Sequence, residues 1–151
     1  MRAWKLFLLL SLIAIVPACG PSRKSVFPVK GRVVDSAGKP VAGATVLFHP
    51  SVPDPEDPTI PSAHVDESGA FSLTTYVEGD GAPAGDYRVT VLLVPGKRHP
   101  LDLPVPDLLK GRYADPATSQ ILFTVEKKDL NEVPDIHVEL TKDNPNAKPH
   151  R

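Results

Sequence analysis

Proline and glycine occur along the whole chain, and this distribution constrains the fold more than any other feature of the sequence. The 151 residues include 18 prolines and 10 glycines. Proline removes a backbone donor and clashes with the preceding helical turn, and glycine lowers helix stability, so these residues end apolar segments before they reach the length of a helix. Several of the remaining segments alternate apolar and polar residues with a period of two, which is typical of β-strands. The sequence therefore predicts a single all-β domain.

Seven short strands are predicted between these breaks. They cover residues 29–34, 44–49, 63–65, 70–75, 87–94, 121–125 and 136–140. Seven strands that are separated by turn signals and contain no helical pattern favour a two-sheet β-sandwich of the Ig-like or prealbumin-like type. A closed barrel is the alternative, because strand patterns alone separate the two architectures poorly.

Some residues within these segments support more detailed predictions. The strand 87–94 becomes apolar on both faces toward its end, which favours a central position in its sheet. Tyr87 is expected to bury its ring while its hydroxyl bonds a backbone group. Gly69 is expected to close a hairpin in the left-handed conformation. The loops 50–62 and 95–118 are long, and they are the candidate ligand-binding loops because sandwich domains usually bind through loops held by a rigid scaffold.

The first twenty residues have the pattern of an export signal. Arg2 and Lys5 precede an apolar run of 11 residues, 6–16, which only Ser11 interrupts. A membrane-spanning helix needs about 20 apolar residues, so this run indicates a signal peptide instead. The sequence Val16-Pro17-Ala18-Cys19-Gly20 follows, and Cys19 is the only cysteine.

This stretch resembles the lipobox of bacterial lipoproteins. The resemblance implies cleavage between Ala18 and Cys19, a thioether-linked diacylglycerol on Cys19, and acylation of the new amino terminus, with palmitate as the expected acyl group. An ordinary cleaved signal peptide with a cysteine near the cut is the alternative. The expected location is the bacterial cell envelope, where a lipid anchor would hold the domain at a membrane, exposed to the periplasm or the cell surface.

The predicted organisation has four parts. They are a lipoprotein signal peptide at 1–18, a lipidated tether at 19–26, the β-sandwich at 27–142 and a disordered tail at 143–151. Removal of residues 1–18 leaves 15 basic and 18 acidic side chains, which gives no electrostatic reason to expect nucleic acid as a partner. Acylation of Cys19 would leave no thiol, so the fold has to be stable without a disulfide.

Three motifs, in order along the chain, resemble the carboxypeptidase regulatory-like domains, which are transthyretin-like β-sandwiches. The motifs are VVDSAGKPVAGATV at 33–46, DESGAF at 66–71 and GDYRVTV at 85–91. Each matches a turn or a strand of that family, so the resemblance concerns the fold. It implies a seven-stranded sandwich that acts as a folding companion, an adhesion unit or a binding module, without enzymatic activity.

Catalytic, metal and cofactor sites are not predicted. The five histidines show no H-E-x-x-H spacing, and the chain lacks a G-x-S-x-G nucleophile elbow. One alternative is a small envelope hydrolase or metal-dependent enzyme, which would bring two of four histidines within about 4 Å of a shared point. These histidines are His49, His64, His99 and His137. A weaker alternative is a calcium site at the acidic clusters Asp54, Glu56, Asp57 and Asp66, Glu67.

The sequence thus leads to a functional expectation that is broad. The chain is expected to be a lipid-anchored module of the cell envelope with a binding, adhesion or structural role. Its expected partners are the membrane, through the lipid, and an envelope protein or polysaccharide. A solute carrier with a ligand between the sheets is a further alternative, although a chain of this length is expected to fill that space with its own side chains.

Overall fold

A computed structural model of the chain describes residues 23–94 and 106–140. The predicted signal peptide, Cys19, part of the loop 95–118 and the predicted tail at 143–151 lie outside these ranges. Within the described ranges, no helix has the length and hydropathy that crossing a membrane requires.

Ten strand segments make up the described fold. They are β1 (Val26–Phe27), β2 (Val29–Asp35), β3 (Thr45–Pro50), β4 (Ser62–His64), β5 (Ala70–Ser72), β6 (Ala82–Pro83), β7 (Gly85–Leu92), β8 (Ile121–Val125), β9 (Asn131–Glu132) and β10 (Ile136–Val138). All seven predicted strands are present, and β1, β6 and β9 are additional segments of two residues each. Val26, which the sequence placed in the tether, begins β1.

The strands form two main sheets, which confirms the predicted all-β sandwich. One sheet has the antiparallel order β4-β3-β7-β8, so β7 is an interior strand as predicted. In the other sheet β2 pairs antiparallel with β5 on one side and parallel with β9 and β10 on the other. The short strands β1 and β6 form a separate antiparallel ribbon. As a result, β4 and β5 are edge strands that follow each other in sequence but belong to different sheets.

The core lies between the two sheets and follows the predicted alternation. In β3, Val46 and Phe48 are fully buried, and in β7, Tyr87, Val89 and Val91 are buried. Burying a side chain of this size contributes about 1.5 to 3 kcal/mol relative to leaving it exposed, so this alternation is the main source of stability. The Phe48 ring packs against the rings of Tyr87 and Phe123, at centroid distances of 5.8 and 6.0 Å.

The predicted conformation of Gly69 and the predicted hydrogen bond of Tyr87 are confirmed, but the predicted hairpin is wrong. Gly69 has a φ of +83° in the turn between β4 and β5. β4 pairs with β3 and β5 pairs with β2, so apart from a bridge between Ser62 and Thr74 the two strands do not form a hairpin ladder. The Asp66 carboxylate accepts hydrogen bonds from the backbone N–H groups of Ser68 and Ala70 in the same turn. The Tyr87 ring is buried, and its hydroxyl donates a 2.7 Å hydrogen bond to the carbonyl of Pro83. These contacts fix how the chain crosses from one sheet to the other.

The strand β5 is shorter than predicted, and the reason is a side chain. The predicted strand reached residue 75, but β5 ends at Ser72. Just beyond it, the Asp80 carboxylate accepts hydrogen bonds from the backbone N–H groups of Thr75, Tyr76 and Val77. These bonds satisfy backbone donors that would otherwise need a strand partner, so the chain turns away as a loop.

The segment 106–118 contains no strand, as predicted, but it is not a simple surface loop. The Asp107 carboxylate accepts hydrogen bonds from the backbone N–H groups of Leu93 and Leu109. The Leu109 side chain is almost fully buried, and the backbone N–H of Val91 donates to the carbonyl of Tyr113. This segment therefore covers the edge of β7 beyond Val89, the last residue of β7 that pairs with β8.

Candidate binding surfaces

The three described histidines lie far apart. His49 and His64 are on neighbouring strands, but the register pairs His64 with Thr45, four residues away from His49 along β3. At about 3.3 Å per residue, this places the two positions about 13 Å apart. His137 lies on β10 in the other sheet. The structure therefore does not bring His49, His64 and His137 together; His99 lies outside the described residues.

Each of the two imidazoles in the β4-β3-β7-β8 sheet bonds a hydroxyl. His64 Nδ1 lies 3.2 Å from Thr45 Oγ1, and His49 Nε2 lies 2.9 Å from Thr90 Oγ1. Burial lowers the pKa of His49. In the described ranges there is no group of three or more His, Cys, Asp or Glu side chains that could hold a metal ion.

A large open groove lies between the edge strands β4 and β5. Its volume is about 780 Å³. Its floor contains Gly31, Ala63 and Phe71, and its polar lining comes from five segments of the chain. The polar lining residues are Lys30, Thr45, Ser62, His64, Asp66, Ser72, Thr74 and Glu78. We call this surface the sheet-edge groove.

The sheet-edge groove suits a polar ligand. It offers four hydroxyl groups, one imidazole, one ammonium group and two carboxylates over an apolar floor. Hydroxyls both donate and accept hydrogen bonds, so such a surface can match sugar hydroxyls or the backbone of a peptide. Part of this capacity is used internally, because Thr74 Oγ1 accepts a hydrogen bond from the backbone N–H of Gly79.

A second, smaller pocket of about 310 Å³ lies at the end of the sandwich where β3 ends and β7 begins. Lys24, Asp54, Asp57, Asp86 and Tyr87 contribute to its lining. Part of this lining belongs to the predicted long loop 50–62. That loop is therefore held against the residues that precede β1.

Contacts at this pocket attach the N-terminal segment to the domain. Lys24 Nζ lies 2.6 Å from Asp54 Oδ2, and the backbone N–H of Lys24 donates a 3.1 Å hydrogen bond to the Tyr76 hydroxyl. The Tyr76 hydroxyl in turn donates to the Asp57 carboxylate. The Arg23 guanidinium lies over the Tyr76 ring, 5.4 Å from its centroid, which is a cation–π geometry. We call these five residues the N-terminal clamp.

The charges of the N-terminal clamp support one another. The hydrogen bond to Asp54 raises the pKa of Lys24, and the same bond lowers the pKa of Asp54. The hydrogen bond from Tyr76 lowers the pKa of Asp57. Burial and the bond to Asp57 both raise the pKa of Tyr76. The lysine and the two aspartates are therefore charged, and the tyrosine is neutral, at neutral pH.

The predicted acidic clusters are engaged in these local contacts. The Asp54 and Asp57 carboxylates bond Lys24 and Tyr76, and the Asp66 carboxylate bonds backbone groups of its own turn. Their arrangement does not support the calcium alternative, because none of them belongs to a set of ligand residues that converge. The predicted lipidation site Cys19 and cleavage site Ala18 lie outside the described residues.

Comparison with known proteins adds little to these observations. No family model and no curated protein matches the chain. Similar solved structures include a 9R-lipoxygenase from Cyanothece PCC8801, with a TM-score of 0.45 and 13% identity over 82% of this chain and 18% of that one. Another is the major pilin subunit of Bacillus cereus, with a TM-score of 0.44 and 19% identity over 78% of this chain and 30% of that one. The chain spans less than a third of either protein, and both similarities are too weak to bear on function.

Sequence reasoning missed both the sheet-edge groove and the N-terminal clamp. The clamp joins residues 52 positions apart in the chain, such as Lys24 and Tyr76, and no periodic pattern connects them. The groove depends on β4 and β5 pairing in different sheets, while backbone hydrogen bonds between Ser62 and Thr74 still join the two segments at one end. One signal in the sequence could have indicated the clamp: basic residues precede β1, and acidic residues of opposite charge lie in the loop 50–62.

Proposed function

We propose that the chain is a lipid-anchored module of the bacterial cell envelope that binds an envelope polysaccharide or protein and has no catalytic role. The observation that supports binding most directly is the sheet-edge groove, which presents hydroxyl, imidazole and charged groups on a rigid pair of strand edges. The lipobox-like sequence around Cys19 supports the anchor.

The same observations favour binding over catalysis. General acid–base or nucleophilic chemistry needs two groups within hydrogen-bond reach of one reacting atom. His49 and His64 are about 13 Å apart along the sheet, and each bonds a hydroxyl of its own sheet. The groove has room for an extended ligand, and His64 is the one described histidine in its lining, where its Nδ1 lies 3.2 Å from Thr45 Oγ1.

The anchor is tested by fractionation of cells that make the full chain or its Cys19→Ala variant. Several acyl chains hold a protein to a bilayer effectively permanently, whereas a protein without them is released. We expect the wild-type protein to partition into the detergent phase with membranes and the variant to leave it. Equal partitioning of the two proteins would show that the anchor is wrong.

Binding is tested with a matched pair of serine substitutions. Ser72→Arg places a long charged side chain in the groove, whereas Ser36→Arg makes the same change in the exposed turn after β2. Retention of isolated cell-wall polysaccharide and of solubilised envelope proteins is measured in parallel for the wild-type chain and both variants. We expect Ser72→Arg to lose a ligand that Ser36→Arg retains. Identical retention by all three proteins would contradict a role for the groove.

A further inference from the structure

The residues before β1 make more contacts than a simple tether requires. β1 begins at Val26, so the sandwich does not need Arg23 or Lys24 for any strand pairing. Both residues nevertheless contact the loops that follow β3 and β5. The Lys24 side chain forms an ion pair with Asp54, and its backbone N–H donates to the Tyr76 hydroxyl. The Arg23 guanidinium lies over the ring of the same tyrosine.

Two separate loops supply the acceptor side of this contact. Asp54 and Asp57 belong to the loop 51–61 between β3 and β4, and Tyr76 belongs to the loop between β5 and β6. The Tyr76 hydroxyl connects the two loops through its bond to Asp57. The acceptor surface is thus already assembled by the domain, and it presents two carboxylates to a segment that carries two basic side chains.

We propose that the N-terminal clamp is an electrostatic docking site for the domain's own tether, in which Arg23 and Lys24 bind reversibly to Tyr76, Asp54 and Asp57. The side chains of the Lys24–Asp54 ion pair are 44% and 32% exposed, and the Tyr76–Asp57 bond is partly buried. Partly exposed ion pairs of this kind are weak and are screened by salt, so the clamp opens and closes instead of being locked. The lowered pKa values of Asp54 and Asp57 keep both carboxylates charged while it is closed.

The consequence for the position of the domain rests on the proposed lipid at Cys19. When the clamp is closed, Arg23 is the first residue held by the domain, and the chain from Cys19 to Arg23 spans at most about 14 Å. When the clamp is open, the first residue held is Val26 of β1, and the chain from Cys19 to Val26 spans at most about 24 Å. Closing therefore draws the loops 51–61 and 74–80 toward the bilayer. Glu78 and Gly79 line one end of the sheet-edge groove, so this end of the groove would lie nearest the membrane.

Limited trypsin digestion tests the clamp directly, because trypsin cleaves after Arg23 and after Lys24, and each cleavage requires that basic side chain to enter the specificity pocket of the enzyme. The full-length protein is digested in detergent, and the cleavage rate after these residues is divided by that of a free peptide covering residues 20–30. Asp54→Asn and Tyr76→Phe each remove one partner of Lys24. Glu126→Gln is the matched control, because it removes the partner of another exposed lysine, Lys128, at 2.9 Å.

At about 10 mM salt we expect slow cleavage of the wild-type protein and of Glu126→Gln. At about 1 M salt we expect both to be cleaved about three- to tenfold faster, because the Debye length falls from about 30 to about 3 Å and the ion pairs are screened. Asp54→Asn should be cleaved at the faster rate at both salt concentrations. Tyr76→Phe should be cleaved at an intermediate rate that still depends on salt, because it keeps the Lys24–Asp54 ion pair and an aromatic ring under Arg23. Thermal unfolding of each variant establishes that the domain is intact. Equal rates in all four proteins, or rates independent of salt, would overturn the proposal.

Digestion of the Cys19→Ser protein separates this inference from the proposed function. The clamp lies within the domain and its flanking residues, so its protection should be the same with and without a lipid at Cys19. Protection in a protein that fails to bind membranes would support the clamp and count against the anchor. Loss of protection in the Cys19→Ser protein would contradict the clamp as described.

Discussion

Gly31 in β2 pairs with Phe71 in β5, and the Phe71 ring occupies the space that a side chain at position 31 would fill. A Cβ atom at residue 31 would lie 2.6 Å from Phe71 Cζ and 2.8 Å from Val133 Cβ. Phe71 is buried in the core, so it cannot move aside freely. We predict that Gly31→Ala lowers the free energy of unfolding by about 1 to 3 kcal/mol, measured by urea denaturation.

A double-mutant cycle identifies the cause of that loss. Leucine at position 71 lacks the Cζ atom that meets the new methyl group. If the clash is responsible, Gly31→Ala and Phe71→Leu together should cost less than the sum of the two single changes, by at least about 0.5 kcal/mol. Additive costs would mean that the alanine disturbs the strand for another reason.

The protein should lose stability at high pH because the hydroxyl of Tyr87 is buried. Burial raises the pKa of Tyr87 to about 12. In the unfolded chain tyrosine loses its proton near pH 10, so between about pH 10 and 12 the folded protein holds a proton that the unfolded chain has released. The free energy of unfolding should therefore fall as pH rises through this range, by about 2 to 3 kcal/mol when the loss is complete. Denaturation at a series of alkaline pH values measures it.

The Tyr87→Phe variant is the control for this prediction. It should cost about 1 kcal/mol at neutral pH, because the Pro83 carbonyl loses its 2.7 Å hydrogen bond. Its stability should then depend less steeply on alkaline pH than that of the wild-type protein. Parallel curves for the two proteins would contradict a buried, protonated Tyr87.

The features that the sequence predicted correctly are local ones. The period of two identified β3 and the first half of β7 because one face of each is buried, although both faces of β7 are buried from Val89 to Val91. Gly69 identified its turn because few other residues adopt its φ of +83°. Tyr87 was predictable for a similar reason, since its hydroxyl bonds a carbonyl only four residues away. In each case neighbouring residues in the chain determine the structure.

The features that the sequence did not reveal depend on distant segments. β9 and β10 pair in parallel with β2 across about a hundred residues. The alternation at 136–140 predicted the strand β10 but not its partner, and β9 is too short to carry a periodic signal. Leu109 is buried because Asp107 directs its segment back onto β7, which only the folded structure shows. The sheet-edge groove likewise arises from the separation of β4 and β5 into different sheets.

Asn131 is one of these distant contacts, and its loss should be costly. The side chain is fully buried, and its Oδ1 accepts a 2.9 Å hydrogen bond from the backbone N–H of Glu126. Its Nδ2 donates to the carbonyls of Glu126 and Pro28, at 3.1 and 3.3 Å. We predict that Asn131→Ala lowers the free energy of unfolding by about 1 to 3 kcal/mol, because the Glu126 N–H loses its acceptor. The carbonyls of Pro28 and Glu126 each lose one donor but keep a backbone donor, the N–H groups of residue 131 and Lys128.

Asn131→Asp provides the comparison that identifies the hydrogen bonds. An aspartate has nearly the same shape and can still accept from Glu126, but its second oxygen would face two carbonyls instead of donating to them. We expect Asn131→Asp to be at least as destabilising as Asn131→Ala at neutral pH. A neutral effect of the aspartate would contradict the donor role assigned to Nδ2.

His49 makes stability depend on mildly acidic pH. Burial lowers its pKa, whereas a histidine in the unfolded chain titrates near pH 6.5. As pH falls below about 6.5 the unfolded chain takes up a proton that the folded protein does not, so the free energy of unfolding falls until His49 itself is protonated. Melting temperatures measured between about pH 7.5 and 5 should show this decline, and His49→Gln should reduce it, because glutamine can still bond Thr90 but does not titrate.

Thr90→Val distinguishes burial from hydrogen bonding as the origin of this effect. Thr90 is 1% exposed, and its Oγ1 lies 2.9 Å from His49 Nε2. Valine preserves the shape of the side chain but removes its hydroxyl. If burial lowers the pKa of His49, the acid-dependent decline should persist in Thr90→Val although the protein is less stable at every pH. A decline that disappears in Thr90→Val would contradict burial as the origin and assign the lowered pKa to the hydrogen bond. A decline that persists unchanged in His49→Gln would show that the titrating group lies elsewhere.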